Sequence, residues 1–279
     1  MVAKNAFINL NTELSYVYED REAHTITRYI FEDILKIFNI QSEKQLSETQ
    51  VRELVKIKKR LLNHEPWQHI VGFADFYGLK FRVSPDVLIP RPETEELVQL
   101  ILDNVKPLQR ILDIGTGSGC IPISIKKKYE HLEVWGLDVS KAALNIAKQN
   151  AELNNTEIDW KQADILNQDE WSRVGEQQFD IIISNPPYVL ESDKSEMHRN
   201  VLDFEPGLAL FVADERPLLF YDVISDFALK YLKLDGQLYF EIHQDFGQQT
   251  VALLESKGFR NVKVVKDLSG SDRIVRALL

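Results

Sequence analysis

The residues with the clearest chemical potential lie at the end of one apolar segment. The stretch "DIIISNPPYV" covers residues 180–189, and three isoleucines lead into Asn185, Pro186, Pro187 and Tyr188. A run of isoleucines is typical of a buried strand, and two consecutive prolines must end it because neither can donate a ladder hydrogen bond. The strand therefore ends on an amide, two rigid carbonyls and an aromatic ring.

This combination suits a reaction at a nitrogen atom. An amide or aromatic amine is a poor nucleophile because its lone pair is delocalised. The Asn185 side-chain oxygen and the Pro186 carbonyl can each accept one N–H and so turn the lone pair toward a methyl donor. Tyr188 can lie flat against a planar substrate group. The motif therefore predicts N-methylation of adenine, guanine or glutamine, with a rigid turn at a strand end as the structural alternative.

A glycine-rich loop supplies a candidate cofactor site. The stretch "DIGTGSGC", residues 113–120, follows another predicted strand. Glycine allows the backbone to turn sharply and to approach a ligand closely. The loop does not match the dinucleotide pattern G-x-G-x-x-G, because its third glycine position is Cys120 when counted from Gly115. Counted from Gly117, that position is Pro122, so a nicotinamide dinucleotide is disfavoured.

Two acidic residues end the strands that follow this loop. Asp138 lies where a carboxylate can accept both hydroxyls of a ribose. Asp164 could bond an adenine amine while Ile165 covers the adenine face. Taken singly, an acidic strand end is more often a helix cap, and a glycine loop is often a plain turn. In this order on one sheet, these residues favour an adenosyl cofactor.

The elements that must position these residues fall into three parts. Residues 1–63 are predicted to form a small helical domain, in which the apolar spacing predicts one helix over 22–38. Residues 64–92 carry short aromatic and β-branched runs broken by glycine and proline, which predicts a connecting β-hairpin. Residues 93–279 alternate between strand and helix patterns.

The alternation predicts an α/β fold with a mostly parallel sheet and helices on both faces. Ligands bind such sheets at the carboxyl ends of the strands. We expect the strand at 179–184 to adjoin the strand at 110–115, where strand order reverses, so that Asn185 emerges beside the reactive end of the cofactor. The other strands are predicted at 133–139, 159–164, 236–242, 262–267 and 273–279, and the helices at 141–154, 216–232 and 247–258 and from Cys120 onward.

Composition narrows the class of partner. The chain has 33 basic and 43 acidic residues, and its net charge of −10 disfavours binding to a phosphate backbone. The basic run "KIKKR" at 56–60 lies on a helix opened by the pattern Ser47-x-x-Gln50; we interpret it as a solvated helix face, with RNA contact as the alternative. A single cysteine, histidines without zinc spacing and the lack of a long apolar segment predict a soluble intracellular protein without a structural metal.

Several motifs resemble those of the HemK/PrmC family of protein glutamine methyltransferases, and the likeness extends across nearly the whole chain. They are "EPWQHIVG" (65–72), "LIPRPETEELV" (88–98), "LDIGTGSGCIPIS" (112–124), "SNPPYV" (184–189), "FEPGLAL" (204–210) and "YFEI" (239–242). The chain departs from the family at Ile165, where some relatives carry tryptophan. It departs again at Pro122, where the first helix usually has alanine, although proline is tolerated in a first helical turn.

The resemblance implies a class I S-adenosylmethionine-dependent methyltransferase fold, doubly wound around a mostly parallel seven-stranded sheet. It implies S-adenosyl-L-methionine as cofactor, S-adenosyl-L-homocysteine as product, and the glutamine of the Gly-Gly-Gln motif in peptide chain release factors as substrate. A ribosomal protein, the substrate of a sister group, and the amino groups of DNA or RNA are the alternatives. A cytoplasmic monomer that binds neither nucleic acid nor membranes is then expected, with residues 1–63 docking the release factor.

The same likeness implies the site residues. The glutamine would be held by Asn185, Pro186, Pro187 and Tyr188, of which Asn185, Pro186 and Tyr188 are the catalytic set. An inactive binding module of this fold would be expected to lose the glycine loop or Asn185, and this chain keeps both. The cofactor contacts would be Gly115, Thr116, Gly117, Ser118, Gly119, Asp138, Asp164 and Asn185, to which the strand-end pattern adds Ile165.

Five more residues have open interpretations. Glu93, Thr94 and Glu95 could line the mouth of the cofactor site, but the two glutamates could equally be acids of a first helical turn. Glu205 and Glu241 could be structural ion-pair partners.

Overall fold

The computed structural model describes residues 1–279, which form two compact units. One comprises Met1–Phe73 with His198–Phe204, and the other comprises Ala74–Met197 with Glu205–Leu279. None of the helices combines the length and the apolar composition needed to cross a membrane.

The first unit is helical. A capping box begins its third helix, because the Gln50 backbone N–H donates to Ser47 Oγ at 3.1 Å and the Ser47 N–H donates to Gln50 Oε1 at 3.0 Å. The sequence predicted this helix start. Side chains such as Phe7, Ile26 and Phe31 are buried together in one apolar core. Its first four helices are α1 (Ala3–Leu14), α2 (Asp20–Tyr29), α3 (Glu48–Leu62) and α4 (Trp67–Val71).

The basic run at 56–60 lies on α3. This helix buries Leu54 and Leu61. Within the run, Lys58 Nζ lies 2.8 Å from a carboxylate oxygen of Glu13. The arrangement agrees with a solvated helix face opposite a buried stripe.

The helix predicted over 22–38 is shorter than the apolar spacing suggested. After Tyr29, α2 gives way to a single π-helical turn over Ile30–Ile34. Lys36 then adopts the left-handed backbone conformation, with φ of 57°. That conformation cannot continue a right-handed helix, so Phe38 lies outside it and is 74% exposed. The prediction was wrong here because periodicity does not register a local change of backbone conformation.

Within residues 64–92, α4 is followed by a two-stranded hairpin. Its strands are β1 (Phe73–Phe76) and β2 (Leu79–Arg82). The turn residues Tyr77 and Gly78 have φ of 49° and 73°. Two consecutive positive φ angles match the right-handed twist of a tight hairpin. The hairpin predicted for this segment is therefore present.

The second unit is built on a seven-stranded sheet and a separate short strand pair. In chain order, the strands are β3 (Arg110–Ile114), β4 (Glu133–Asp138), β5 (Asp159–Gln162), β6 (Phe179–Ser184), β7 (Val189–Leu190), β8 (Phe211–Val212), β9 (Leu232–Glu241), β10 (Arg260–Lys266) and β11 (Asp272–Leu278). The sheet order is β10-β11-β9-β6-β3-β4-β5, and β7 pairs with β8. Every pairing in the sheet is parallel except the two made by β11. The predicted mostly parallel, doubly wound sheet is confirmed.

The remaining helices are α5 (Pro92–Leu102), α6 (Cys120–Lys128), α7 (Lys141–Leu153), α8 (Arg199–Leu202, in the first unit), α9 (Leu219–Tyr231) and α10 (Gly247–Ser256). Both faces of the sheet are covered. Leu112 and Ile114 share a core with residues of α9 and α10, whereas Ile111 shares a second core with residues of α5 and α6. Because successive strand residues point to opposite faces, β3 carries apolar side chains on both of its faces.

Strands β3 and β6 lie side by side where the strand order reverses. Asp113 pairs with Ile183, and Ile114 pairs with Ser184. Ser184 Oγ also donates to the Ile114 carbonyl at 2.7 Å. The predicted adjacency of the two strands is confirmed, so the glycine loop and Asn185 leave the sheet at the same edge.

Candidate functional site

A cavity of about 340 Å³ opens at this edge of the sheet. Its position is the usual ligand site of a doubly wound sheet, and its volume suits a small organic molecule. Among the predicted site residues, Gly119 and Tyr188 do not line it. The other ten do: Gly115, Thr116, Gly117, Ser118, Asp138, Asp164, Ile165, Asn185, Pro186 and Pro187.

The glycine loop joins β3 to α6. Gly115, Gly117 and Gly119 have φ of 75°, 53° and 79°, in the left-handed region that favours glycine. Gly119 is the N-cap of α6, and a Cβ there would lie 3.0 Å from side-chain atoms of Ile123 and Trp160. Gly119 therefore serves the packing of the helix start, while the two earlier glycines bring backbone to the cavity wall.

Asp138 lies at the end of β4 and is 9% exposed. Its Oδ2 accepts the Gly117 N–H at 2.8 Å, and its Oδ1 accepts the Ser140 N–H at 2.8 Å. Burial raises the pKa of this carboxyl, and the backbone N–H groups oppose that effect. A carboxylate oxygen can accept more than one hydrogen bond, so Asp138 can tie the glycine loop to the sheet and still accept from a ligand.

Asp164 and Ile165 follow β5. Asp164 Oδ1 accepts the Leu166 N–H at 2.9 Å, and the Asp164 N–H donates to Glu170 Oε2 at 2.9 Å. Ile165 is 8% exposed, and its carbonyl accepts the Trp171 indole N–H at 2.8 Å. These contacts hold one polar and one apolar side chain side by side in the cavity wall.

Asn185 follows β6 directly and is half-buried. Its Nδ2 donates to Thr94 Oγ1 at 3.2 Å. The amide oxygen Oδ1 has no such partner in the chain and remains available to a ligand. Pro186 and Pro187 line the cavity beside it.

Only one of the three residues considered at the start of α5 reaches the cavity. Thr94 lines it and is 2% exposed. Glu93 and Glu95 belong to the first turn of the helix. Glu93 is exposed, and Glu95 Oε1 accepts the Tyr77 N–H at 2.7 Å. The two glutamates therefore follow the first-turn interpretation.

Tyr188 is directed toward Glu241 rather than into the cavity. Its hydroxyl donates to Glu241 Oε1 at 3.1 Å, and its ring lies edge-on to His243 with centroids 6.2 Å apart. Burial and the Glu241 charge raise the pKa of the phenol. The role predicted for the ring, stacking on the substrate, stays a prediction.

The two acids interpreted as ion-pair partners differ. Glu205 forms the expected pair, because Arg91 Nη2 lies 2.7 Å from its Oε1. Glu241 instead accepts hydrogen bonds from the hydroxyls of Thr94 and Tyr188. The ion-pair interpretation was wrong for Glu241, because both of its oxygens accept from hydroxyls and the charge of Arg273 acts on it without an ion-pair contact.

The cavity also has walls to which the sequence assigned no role. The first of these walls lies partly within the motif "LIPRPETEELV", for which the sequence predicted no chemical role. The second wall comes from α9, whose apolar periodicity does not distinguish residues that face a cavity from residues that face a core. The first wall includes Val87, Leu88, Pro90 and Arg91, and the second includes Phe220 and Ile224.

The residues present fit an adenosyl cofactor such as S-adenosylmethionine. A ribose offers two hydroxyl donors, adenine offers an amine donor and apolar faces, and the cavity wall offers the carboxylates of Asp138 and Asp164 together with the apolar Ile165. The glycine loop adds backbone without side-chain bulk at Gly115 and Gly117.

Comparisons with known proteins also indicate a methyltransferase. The family model for the methyltransferase small domain matches residues 93–204. The release factor glutamine methyltransferase of Bacteroides thetaiotaomicron is 43% identical over 272 residues, which cover 96% of this chain and 97% of that protein. The enzyme of the same name from Flavobacterium psychrophilum is 40% identical over 285 residues, 99% of each chain.

A solved structure supports the fold. The crystal structure of a methyltransferase from Pyrococcus furiosus superposes with a TM-score of 0.53 and 16% identity, over 80% of this chain and 98% of that chain. At this identity the likeness concerns the fold alone. The predicted class I methyltransferase fold is thereby confirmed.

Proposed function

Because this chain belongs to the family of release factor glutamine methyltransferases, we propose that it transfers a methyl group from S-adenosylmethionine to the side-chain amide nitrogen of a release factor glutamine. The glutamine is that of the Gly-Gly-Gln motif. We assign the reaction to the cytoplasm, because the proposed substrate acts in translation.

The proposal rests chiefly on the orientation of the Asn185 amide. Its nitrogen end is bound to Thr94, and its oxygen end is available at the edge of the sheet where the glycine loop emerges. An acceptor in that position suits a substrate group that carries N–H donors. A glutamine amide nitrogen carries two.

The residues of this site orient the substrate nitrogen. Asn185 Oδ1 accepts one N–H of the glutamine and the Pro186 carbonyl accepts the other, which holds the lone pair out of full conjugation. The prolines favour this geometry because their φ angles are restricted and they bring no competing N–H. Since these acceptors are fixed by the fold, they need no rearrangement in the transition state.

Each cofactor contact is assigned to the part of the cofactor that suits its chemistry. Asp138 would accept from the ribose, Asp164 from the adenine amine, and Ile165 would cover the adenine face. When bound, S-adenosylmethionine supplies the methyl group. Histidine does not line the cavity, and a strong general base is not required, because an amide nitrogen that has gained a methyl group while keeping both protons is strongly acidic and loses one to water.

Transfer of labelled methyl groups tests the substrate. The protein is incubated with labelled S-adenosylmethionine and an intact release factor, and in parallel with a release factor in which the Gly-Gly-Gln glutamine is replaced by glutamate. The glutamate side chain has nearly the same shape but no nitrogen. We expect label in the intact factor only. Parallel samples contain a ribosomal protein, DNA or RNA in place of the release factor, and label in one of these with none in the release factor would contradict the proposal.

The cofactor site is tested separately by calorimetry. Asp138→Ala should weaken binding of S-adenosylmethionine by about 1–3 kcal/mol, because two buried hydroxyls would lose a charged acceptor. Asp159→Ala, which removes an exposed carboxylate at the start of β5, is the matched control. An unchanged dissociation constant in folded Asp138→Ala would mean that the ribose binds elsewhere.

A further inference from the structure

A buried carboxylate, Glu241, is connected to both ends of the segment Asn185–Tyr188. It accepts a hydrogen bond from Tyr188 directly and reaches Asn185 through Thr94. Glu241 ends β9, next to β6 in the sheet, and is 1% exposed. Its Oε2 accepts the Thr94 hydroxyl at 2.7 Å. Its Oε1 accepts the Tyr188 hydroxyl at 3.1 Å.

The single proton of the Thr94 hydroxyl determines the direction of these hydrogen bonds. An ionised carboxylate can only accept, so this proton is donated to Glu241. The Thr94 oxygen can then only accept from Asn185, whose amide lies 3.2 Å away. The nitrogen end of the amide must therefore face Thr94, and the oxygen end must face away from it.

We propose that Glu241 is a positioning residue that sets the orientation of the Asn185 amide through Thr94 and holds Tyr188 directly. This inference rests on the proposed function, because it explains how Asn185 comes to offer an oxygen rather than a nitrogen to the substrate amide. A flipped amide would present N–H donors to the N–H donors of the glutamine.

Two hydroxyl donors and one cation favour the ionised form of Glu241, whereas burial and the charge of Glu93 disfavour it. Burial raises the pKa of this carboxyl, while the hydrogen bonds from Thr94 and Tyr188 and the charge of Arg273 oppose that rise. A buried carboxylate is costly unless several donors satisfy it. Here each oxygen has one hydroxyl donor, so the two hydroxyls that stabilise the charge are the same ones that it orients.

The second contact restricts Tyr188. Its hydroxyl proton is committed to Glu241, so the phenol is not expected to donate to the substrate. The distance between β9 and the end of β6 is fixed by the parallel pairing of the two strands, in which Ser184 faces Phe240. The carboxylate thus fixes both ends of the segment to a rigid element.

Substitutions of Thr94 test the inference, because they alter the hydrogen-bond direction and leave Glu241 in place. Thr94→Val keeps the shape of the side chain and removes the hydroxyl. We expect it to lower the single-turnover rate of release factor methylation by roughly tenfold or more, with little change in KM for the release factor or in the dissociation constant of S-adenosylhomocysteine. Thr94→Ser retains the hydroxyl and should stay near the wild-type rate.

A double-mutant cycle distinguishes positioning from general damage. If Thr94 acts through Asn185, Thr94→Val should not lower the single-turnover rate further in a protein that already carries Asn185→Ala. Glu241→Gln should lower the rate in the same manner, because an amide at this position can donate and so permits the reversed orientation.

The outcomes separate this inference from the proposed function. A wild-type protein that leaves the release factor unlabelled would overturn both. A wild-type protein that labels the release factor, together with a Thr94→Val variant of equal rate, would overturn the positioning role alone. If the rate losses of Thr94→Val and Asn185→Ala multiply in the double mutant, the positioning role is also overturned, since Thr94 would then act on something other than Asn185.

Discussion

At the residue scale, the two ends of the Asn185 amide have different partners. The nitrogen donates to Thr94, and we propose that the oxygen accepts from the substrate. Asn185→Ala removes one hydrogen bond of a half-buried side chain, so the melting temperature should change little. Turnover should fall by on the order of 100-fold, as when one preorganised polar contact to a reacting group is lost. Single-turnover kinetics and thermal melting on the same samples measure both.

Asn185→Asp provides a stricter comparison. The carboxylate keeps an acceptor for the substrate, but it also directs an acceptor at the Thr94 oxygen, whose proton is already donated to Glu241. We therefore expect the aspartate variant to be no more active than the alanine variant. Nearly wild-type turnover of Asn185→Asp would show that the nitrogen end of the amide has no role. A wild-type rate for Asn185→Ala would show that the motif is only the end of a strand.

A second residue-scale prediction concerns Asp113, which is fully buried on β3. Burial raises the pKa of its carboxyl from 3.8 to about 7, and the side chain of Thr116 opposes that rise. A raised pKa stabilises the fold at low pH, and this contribution is lost as pH rises from about 4 to about 7. Asp113→Asn lacks the titration, so the wild-type stability should fall relative to that of the variant across this range.

The size of this pH effect follows from the shift. One pKa unit corresponds to about 1.4 kcal/mol, so the relative change in the free energy of unfolding should approach about 4 kcal/mol if the whole shift is expressed. Urea denaturation of both proteins at several pH values between 4 and 8 measures it. Parallel stability curves for the two proteins would contradict the assignment.

At the element scale, the packing of β4 against β5 leaves no room for a side chain at Gly136. A Cβ there would overlap the Trp160 ring and would lie 3.1 Å from Thr116 Oγ1. Gly136→Ala should therefore destabilise the protein by about 1–3 kcal/mol, as expected for overpacking. Denaturant unfolding measures this loss.

Two further variants locate the cause of that loss. Trp160→Phe combined with Gly136→Ala should recover part of the stability, because the smaller ring makes room for the new methyl group. Gly207→Ala is the matched control, since its Cβ would meet Phe211 at an ordinary contact distance of 3.5 Å. Equal losses at the two glycines would mean that backbone flexibility, and not crowding by Trp160, causes the effect.

At the scale of the whole molecule, the cofactor residues and the helical unit belong to different compact units. Deletion of residues 1–73 should leave the dissociation constant of S-adenosylmethionine nearly unchanged, because every residue lining the cavity lies in the other unit. Methylation of an intact release factor should lose tenfold or more in kcat/KM, about 1.4 kcal/mol, if these helices dock the substrate. A short Gly-Gly-Gln peptide should be affected much less.

The comparison of protein and peptide substrates decides the role of the helices. We end the deletion at 73 rather than 63 because Trp67, Ile70 and Val71 pack against the helical core. Equal losses on the release factor and on the peptide would show that the helices support folding and do not dock the substrate.

Local patterns determined much of this fold. The isoleucine run predicted β6, the alternation of strands and helices predicted the parallel sheet, and the rule for strand-order reversal predicted that Asn185 emerges near the glycine loop. Each of these inferences depends on neighbours in sequence or on a general rule of topology. The failed helix over 22–38 marks the limit of periodicity, because the left-handed Lys36 leaves no trace in the apolar spacing.

Only the tertiary structure decided which polar groups meet. Thr94 and Glu241 are 147 residues apart in the chain, and Asn185 lies 91 residues from Thr94. Nothing in the sequence indicates that these three residues are in contact, and from the sequence Glu241 is considered only as an ion-pair partner. Hydrogen-bond partners are set by distances of a few ångströms between elements, and those distances arise from strand register and helix packing, which no local pattern of residue types encodes.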